Sequence, residues 1–178
     1  PLYSSAASDV YKRQIKSCIH LSAVKAREIM TPSIVVESAC QTLTVKEFYE
    51  QGEWNFSRIP VFDESKDYIT GYVLKDMVLE ALSEDEFQTR LFDLMRSILS
   101  FSEDESVYQI WEKMLEKREH ISIIIDEYGS LRGVVSMEDI IETMTGVEIV
   151  DEDDVAVDMQ ALAKEKSIKM LQNKKKRF

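Results

Sequence analysis

The sequence predicts an α/β fold of the α+β type, in which two similar units follow each other along the chain. The interval from Gly71 to Gly133 is nearly the same as the interval from Met30 to Met95, so landmark residues recur at an almost constant spacing. Within each repeat, apolar runs of strand length alternate with segments of helical spacing. A repeat of this length indicates duplication of one strand–helix–strand–strand–helix unit, and two such units are expected to pack about a pseudo-twofold axis.

The composition is that of a soluble globular protein and disfavours several classes of function. Of 178 residues, 44% are hydrophobic and 31% are charged, and no apolar run reaches the roughly eighteen residues of a membrane span. Acidic residues outnumber basic ones by 33 to 22, which gives a net charge of −11 and argues against nucleic acid as a partner. Cys18 and Cys40 have no metal or redox spacing, which fits a reduced cytosolic setting.

Changes in composition divide the chain into four segments. Residues 1–22 are expected to be a disordered leader or tag with the start of a linker, because the first fourteen are polar and lack periodicity. Residues 23–82 and 83–147 are predicted to be the two repeated units, joined at the polar stretch SEDE. Residues 148–178 are predicted to be an acidic segment followed by an amphipathic helix with a basic end.

In the first unit, local signals place the elements as follows. A helix from Ala23 to Met30 is stopped before Pro32, because the residue preceding a proline is disfavoured in the α region. The apolar run at 34–36 is expected to be a short strand. Thr44 caps a helix that runs to Gln51 and is ended by Gly52, and the remaining elements are strands at 57–64 and 68–74 and a helix at 75–82.

The second unit repeats this order with clearer signals. Helical spacing is expected over 91–95, a strand at 98–99, a helix over 106–116, and strands at 121–125 and from Gly133 onwards. Ile140, Ile141 and Met144 then have helical spacing, which makes Ser136 the expected N-cap of a final helix.

The unit Ser136-x-x-Asp139 at this strand-to-helix junction has two interpretations. It can be a capping box in which Asp replaces the usual Glu, and the motif taken alone favours this interpretation. It can also place a hydroxyl and a carboxylate beside the exposed amides of a helix start, where a ribose diol and an anion are bound favourably. The motifs around it favour the second interpretation.

These motifs resemble those of a pair of CBS domains, also called a Bateman module. They are Met30-Thr31-Pro32, the sequence SRIPV at 57–61, the sequence DEYG at 126–129 and the sequence GVVSMED at 133–139. The last two are similar to the CBS pair of the CorC/cyclin-M (CNNM) group of hemolysin-like magnesium and cobalt transport proteins. The resemblance covers about residues 23–154.

This resemblance implies an adenine nucleotide, ATP or AMP and often the magnesium complex, bound in the cleft between the units. Carried over to this sequence, Ser136 and Asp139 hold the ribose, Thr31 touches the base or sugar, and Phe56 and Arg58 approach from the opposite unit. Arg58 suits phosphate through its planar donor fork, although without the family context a surface salt bridge is an equal alternative. The implied nucleotide-binding residues are Thr31, Phe56, Arg58, Ile59, Pro60, Val134, Ser136 and Asp139.

The first unit departs from this pattern. At the positions of Ser136 and Asp139 it has Leu74 and Met77, and Asp76 is displaced by one residue, which on a helix turns it about 100° away. An apolar wall cannot satisfy a ribose diol, so we expect the second, pseudo-symmetric site to be weak or absent.

The resemblance further implies a regulatory module at the cytoplasmic side of the cell membrane, attached to an N-terminal membrane domain that transports divalent cations. A homodimer of two CBS pairs is the expected assembly. The main alternative is a structural dimerisation module without nucleotide. An enzyme using Asp126, Glu127 and Asp139 as acid–base groups is disfavoured, because no nucleophile, metal cluster or glycine-rich phosphate loop accompanies these carboxylates.

Overall fold

A computed structural model describes residues 21–52 and 54–145 of the chain. The predicted acidic segment and helix at 148–178 lie outside the described residues, as does almost all of the predicted leader. The first half contains α1 (Ala26–Ile29), β1 (Thr31–Pro32), β2 (Ala39–Cys40), α2 (Val45–Glu50), β3 (Arg58–Phe62), β4 (Ile69–Leu74) and α3 (Lys75–Ser83). The second half contains α4 (Leu91–Leu94), β5 (Leu99–Ser102), α5 (Val107–Lys117), β6 (Ile121–Ile125), β7 (Leu131–Ser136) and α6 (Met137–Thr145).

The two halves have the same strand order, as the repeat predicts. In the first sheet β2 is parallel to β3, and β3 is antiparallel to β4. In the second sheet β5 is parallel to β6, and β6 is antiparallel to β7. The predicted strand–helix–strand–strand–helix order is therefore confirmed in both halves.

Local capping explains where the helices begin. Thr44 accepts a hydrogen bond from the N–H of Glu47, whose side chain in turn accepts one from the N–H of Thr44, so a capping box starts α2. Ser106 caps α5 by accepting from the N–H of Gln109. Both hydroxyl caps are predictable from the sequence because a cap is a contact between near neighbours.

The segment that leads into each half packs on the other half. β1 joins the second sheet as an edge strand antiparallel to β7, with Thr31 opposite Val134. In the reverse direction, Arg96 forms a β-bridge with Tyr72 of the first sheet, with N–O distances of 2.8 and 3.0 Å. Each hydrophobic core contains a residue from the leading segment of the other half. Leu91, which leads into the second half, is buried in the first core with residues 39–81, and Ala26, which leads into the first half, is buried in the second core with residues 107–140.

Close backbone approach makes glycine necessary at both crossing points. A Cβ added to Gly133 would overlap the carbonyl oxygen of Thr31, and one added to Gly71 would overlap that of Arg96. In each case a methionine, Met30 or Met95, covers the same spot. The two glycines that mark the repeat therefore mark the places where one half meets the leading segment of the other.

The predicted strand at 34–36 is wrong. The N–H of Val35 donates to the carbonyl of Pro32 and that of Val36 donates to Ser33, so this apolar run is a turn. Val35 is buried nonetheless, which explains its apolar character without any strand. The strand that pairs with β3 begins later, at Ala39, and Gly52 follows the C-cap residue Gln51 with a φ of +134°.

We predict that Gly133→Ala lowers the free energy of unfolding by more than the ordinary cost of a glycine-to-alanine change in a strand. The new methyl group must displace the Thr31 carbonyl and with it the exchanged strand β1. Overpacking of this kind costs about 1–3 kcal/mol. Urea unfolding followed by circular dichroism measures the difference.

The control is Arg132→Ala at the neighbouring exposed position, where a change of less than about 0.5 kcal/mol is expected. Equal stability of Gly133→Ala and the wild type would contradict the close approach.

Candidate functional site

Ser136 and Asp139 form a capping box at the junction of β7 and α6. The N–H of Ser136 donates to Oδ2 of Asp139 at 2.7 Å, and the N–H of Asp139 donates to Oγ of Ser136 at 3.1 Å. The first interpretation of this motif is thus present in the structure. It does not use up the carboxylate, because an ionised carboxylate has about four lone-pair sites and Ser136 takes at most two of them.

The carboxylate of Asp139 lies in an environment that disfavours its charge. Burial raises the pKa of Asp139 from 3.8 to about 6, hydrogen bonds from Ser136 oppose this shift, and the nearby carboxylates of Glu142 and Glu138 add to it. A half-buried acceptor with a raised pKa in the first turn of a helix is typical of a binding site, although structural groups also show such shifts.

Thr31 and Val134 are brought beside this pair by the exchanged strand. They lie opposite each other in the β1–β7 ladder, two residues before Ser136 on β7. Both side chains are half-buried. The sheet therefore brings together four of the residues predicted to bind nucleotide, from two distant parts of the sequence.

The remaining predicted residues come from the start of β3 in the first half. Ile59 is buried in the core of that half with Val61 and Val73, so its side chain faces away from the other half. Arg58 and Pro60 alternate with it and point to the opposite face, which they share with Tyr72 and Leu74, their partners on β4. Tyr72 on this face contacts Glu119 of the second half. Ile59 can contribute to a cleft only through its backbone.

Arg58 is the cation available to that cleft. It is half-buried, and within the described part of the chain its guanidinium is in no ion pair. The surface salt bridge considered as its alternative role is thus not formed with any described residue. Phe56, two residues earlier and also half-buried, lies at the same edge.

At the pseudo-symmetric position, side chains of the two halves contact each other. The hydroxyl of buried Tyr72 donates to Oε2 of Glu119 at 2.7 Å, a contact that joins the two halves. Burial and Glu119 raise the pKa of this phenol, while the Arg96 side chain that also hydrogen-bonds to it opposes the shift. Leu74 provides no side-chain cap for α3, and Asp76 is exposed.

The repeat shows what these three residues correspond to. At the spacing of the repeat, Arg96 stands where the first unit has Thr31, and Glu119 stands where it has Phe56. Tyr72 is in turn the first-unit equivalent of Val134. The sequence reasoning missed this trio, although the same spacing, applied to the three predicted site residues, would have identified it.

The correspondence also concerns the predicted nucleotide cleft at Ser136 and Asp139, which is named the open cleft. At the spacing of the repeat, Phe56 and Val134 are the counterparts of Glu119 and Tyr72, whose side chains meet across the halves. Thr31, Val134 and Ser136 lie together on the β1–β7 side of the second sheet, whereas Phe56 and Arg58 lie just before and at the start of β3 in the first half.

The described residues contain neither a metal-ligand cluster nor a membrane-spanning helix. Within 21–52 and 54–145, no three His, Cys, Asp or Glu side chains are arranged to hold a metal ion. In the same ranges, no helix has the length and apolar character needed to cross a membrane.

Known proteins similar to this chain point to one family. Residues 91–146 match the CBS domain family. A UPF0053 protein from Synechocystis is 32% identical over 164 residues, which are 92% of this chain and 47% of that protein. The magnesium and cobalt efflux protein CorC of Buchnera aphidicola is 28% identical and is matched over 84% of this chain and 52% of its own length.

A solved structure agrees with these relatives. The CBS domain of a bacterial CNNM/CorC family Mg²⁺ transporter in complex with ATP superposes with a TM-score of 0.69 at 25% identity, covering 76% of this chain and 97% of that one. The chain spans about half of the length of the curated relatives, or less. With its duplicated sheets and its GVVSMED junction, it belongs to the CBS-domain proteins of the CorC/CNNM family.

Proposed function

We propose that the chain is a regulatory module that binds one adenine nucleotide in the cleft at Ser136 and Asp139. The observation that carries the proposal is the difference between the two clefts. One cleft has a half-buried carboxylate with spare acceptor capacity and an arginine in no ion pair with a described residue, whereas the other is crossed by the hydrogen bond from Tyr72 to Glu119.

The donor and acceptor groups of the open cleft fit a nucleotide. Asp139 accepts the two hydroxyl protons of the ribose, and Arg58 binds phosphate through its planar fork. Thr31, Phe56 and Val134 provide a half-buried surface for the base. Pro60 and the backbone of Ile59 form the wall on the side of the first half.

Nucleotide bridges the two halves in this arrangement, because the proposed ribose and phosphate ligands lie on different halves. Nucleotide therefore favours the arrangement of the halves in which both sets of contacts are made. The difference in binding free energy between the arrangements can shift the conformational equilibrium of an attached domain. A magnesium ion would be held by the phosphates rather than by the chain, since magnesium keeps several waters and needs few protein ligands.

The relatives extend the proposal beyond this chain. A membrane domain that transports magnesium or cobalt, placed N-terminal to the module, is the proposed target of regulation, and the module lies on the cytoplasmic side of that membrane. Leu79 on α3 and Ile141 on α6, at equivalent positions of the repeat, are both exposed apolar residues. They support a homodimer formed through these helices.

A structural dimerisation module without nucleotide is the second candidate. It is favoured by the capping box itself, in which Ser136 and Asp139 already satisfy each other in part. Calorimetric titration of the chain with AMP, ADP and ATP, each with and without magnesium, separates the two candidates. Enzymatic turnover of nucleotide in the same mixtures would contradict both.

We predict a stoichiometry of one nucleotide per chain and a loss of affinity in Asp139→Ala of ten- to a hundredfold. Loss of hydrogen bonds to a charged group costs about 1.5–3 kcal/mol, and each 1.4 kcal/mol is about tenfold in affinity. Calorimetry measures both quantities. Asp76→Ala, which removes the exposed carboxylate of the degenerate unit, is the matched control and should bind normally. The reverse pattern would place the working cleft in the first unit.

Arg58→Ala is predicted to weaken ATP binding more than adenosine binding. The guanidinium contacts phosphate in the proposed complex, and adenosine has none. The affinities of both ligands are compared by calorimetry in the variant and in Lys113→Ala, which removes one positive charge from the surface of α5. Equal losses for ATP and adenosine in Arg58→Ala would exclude phosphate as its partner.

Acidification is predicted to weaken adenosine binding. Because the pKa of Asp139 is raised to about 6, its carboxylate is charged at pH 7.5 and mostly protonated at pH 5. The loss of the charged acceptor should lower affinity by roughly tenfold across this interval. Adenosine is used because phosphate groups titrate in the same range.

Asp139→Asn keeps an acceptor for the helix cap but has no proton to gain. Its residual affinity for adenosine should not vary between pH 7.5 and pH 5, which separates Asp139 from other titrating groups. Tighter binding at low pH in the wild type would show that the charged form is not the one that binds.

A further inference from the structure

One carboxylate oxygen in the loop that leaves β1 is buried and has no hydrogen-bond partner among the described residues. It is Oε2 of Glu37, which makes no hydrogen bond to any residue within 21–52 and 54–145. The other oxygen, Oε1, lies 3.4 Å from Nδ2 of Asn55. A buried acceptor without a donor is costly in a folded protein and requires a reason, such as a ligand that supplies the donor.

Glu37 lies among the residues proposed to surround the base. It follows Thr31 by six positions, in the loop that leaves strand β1 and crosses to the first sheet. Its contact with Asn55 fixes it next to Phe56, because Asn55 and Phe56 are adjacent in the chain. The unpaired oxygen therefore belongs to a side chain in the loop after Thr31 that contacts the residue next to Phe56.

The loop that carries Glu37 is specific to the open cleft. Cys40 and Ser102 are equivalent, since they pair with Phe62 and Ile125, the last residues of the equivalent strands β3 and β6. The stretch from Thr31 to Cys40 is longer than the stretch from Arg96 to Ser102, although the two begin and end at equivalent places. The first unit thus has an insertion in this loop, and the pseudo-symmetric cleft has no counterpart of Glu37.

The unpaired oxygen Oε2 of Glu37 can bind only a base that presents a hydrogen-bond donor to it. A carboxylate only accepts hydrogen bonds, so the base must present an N–H donor. The exocyclic amine of a 6-aminopurine offers one, whereas the 6-oxo group of hypoxanthine or guanine directs lone pairs at the same place. Guanine presents two adjacent N–H donors, which would need both carboxylate oxygens of Glu37. Oε1 already accepts from Asn55, so only one oxygen is available to a base.

We propose that Glu37 accepts a hydrogen bond from the 6-amino group of the bound base and makes the cleft selective for 6-aminopurine over 6-oxopurine nucleotides. This inference rests on the proposed nucleotide-binding function and assigns the specificity of that same cleft. The free oxygen then gains its missing donor when the ligand enters.

The test is calorimetric titration of the full 178-residue chain with ATP, inosine triphosphate and GTP, in the wild type and in Glu37→Gln. The wild type should prefer ATP over inosine triphosphate by roughly tenfold or more, the cost of leaving a buried charged acceptor facing an oxo group. Glutamine keeps the shape and can turn its amide NH₂ towards an oxo group. In Glu37→Gln the ratio should therefore fall to within about threefold.

Two controls separate selectivity from folding and from general affinity. Glu37→Gln should melt at a temperature no lower than the wild type, because the change removes an unpaired buried charge. Asp139→Asn should weaken ATP and inosine triphosphate equally and leave their ratio unchanged.

The possible failures are distinguishable. An unchanged ratio in Glu37→Gln, or a wild type that prefers GTP, overturns the role of Glu37 while nucleotide binding stands. A wild type that binds none of the three nucleotides overturns the proposed function and this inference together.

Discussion

The fold depends on the contact between each sheet and the leading segment of the other half. At Gly133 and Gly71 the foreign backbone approaches so closely that no side chain fits. The β1–β7 ladder and the Tyr72–Arg96 bridge are formed there, and both hydrophobic cores include residues of the exchanged segments. These contacts fix the two halves against each other, and the clefts between them are a product of that arrangement.

Most of the fold could be predicted because its signals are local. Hydrophobic spacing located the helices and the antiparallel strand pairs, and the caps at Thr44 and Ser106 depend on residues three positions away. The strand at 34–36 was predicted wrongly because an apolar β-branched run has the same composition in a buried turn as in a strand. Only its hydrogen-bond partners, which the sequence does not specify, distinguish the two.

The candidate site was predictable in its residue types more than in its geometry. The Ser136-x-x-Asp139 motif and Arg58 were identified from the sequence, and Thr31 and Val134 were named as binding residues from the resemblance alone, without their pairing in one ladder. The inward orientation of Ile59, the contact of Tyr72 with Glu119 at the second cleft and the unpaired oxygen of Glu37 depend on contacts between residues far apart in the chain. Periodicity within one segment carries no information about such contacts.

The exchange of leading segments has a consequence for the number of copies that a stable particle needs. A single unit cut from this chain would present the bare edge of its sheet, together with a short segment that has no edge to join. Two units satisfy both needs at once, because each supplies the segment that the sheet of the other accepts. The exchange has the geometry of a domain-swapped dimer within one polypeptide, so two units are the smallest number in which every leading segment is paired.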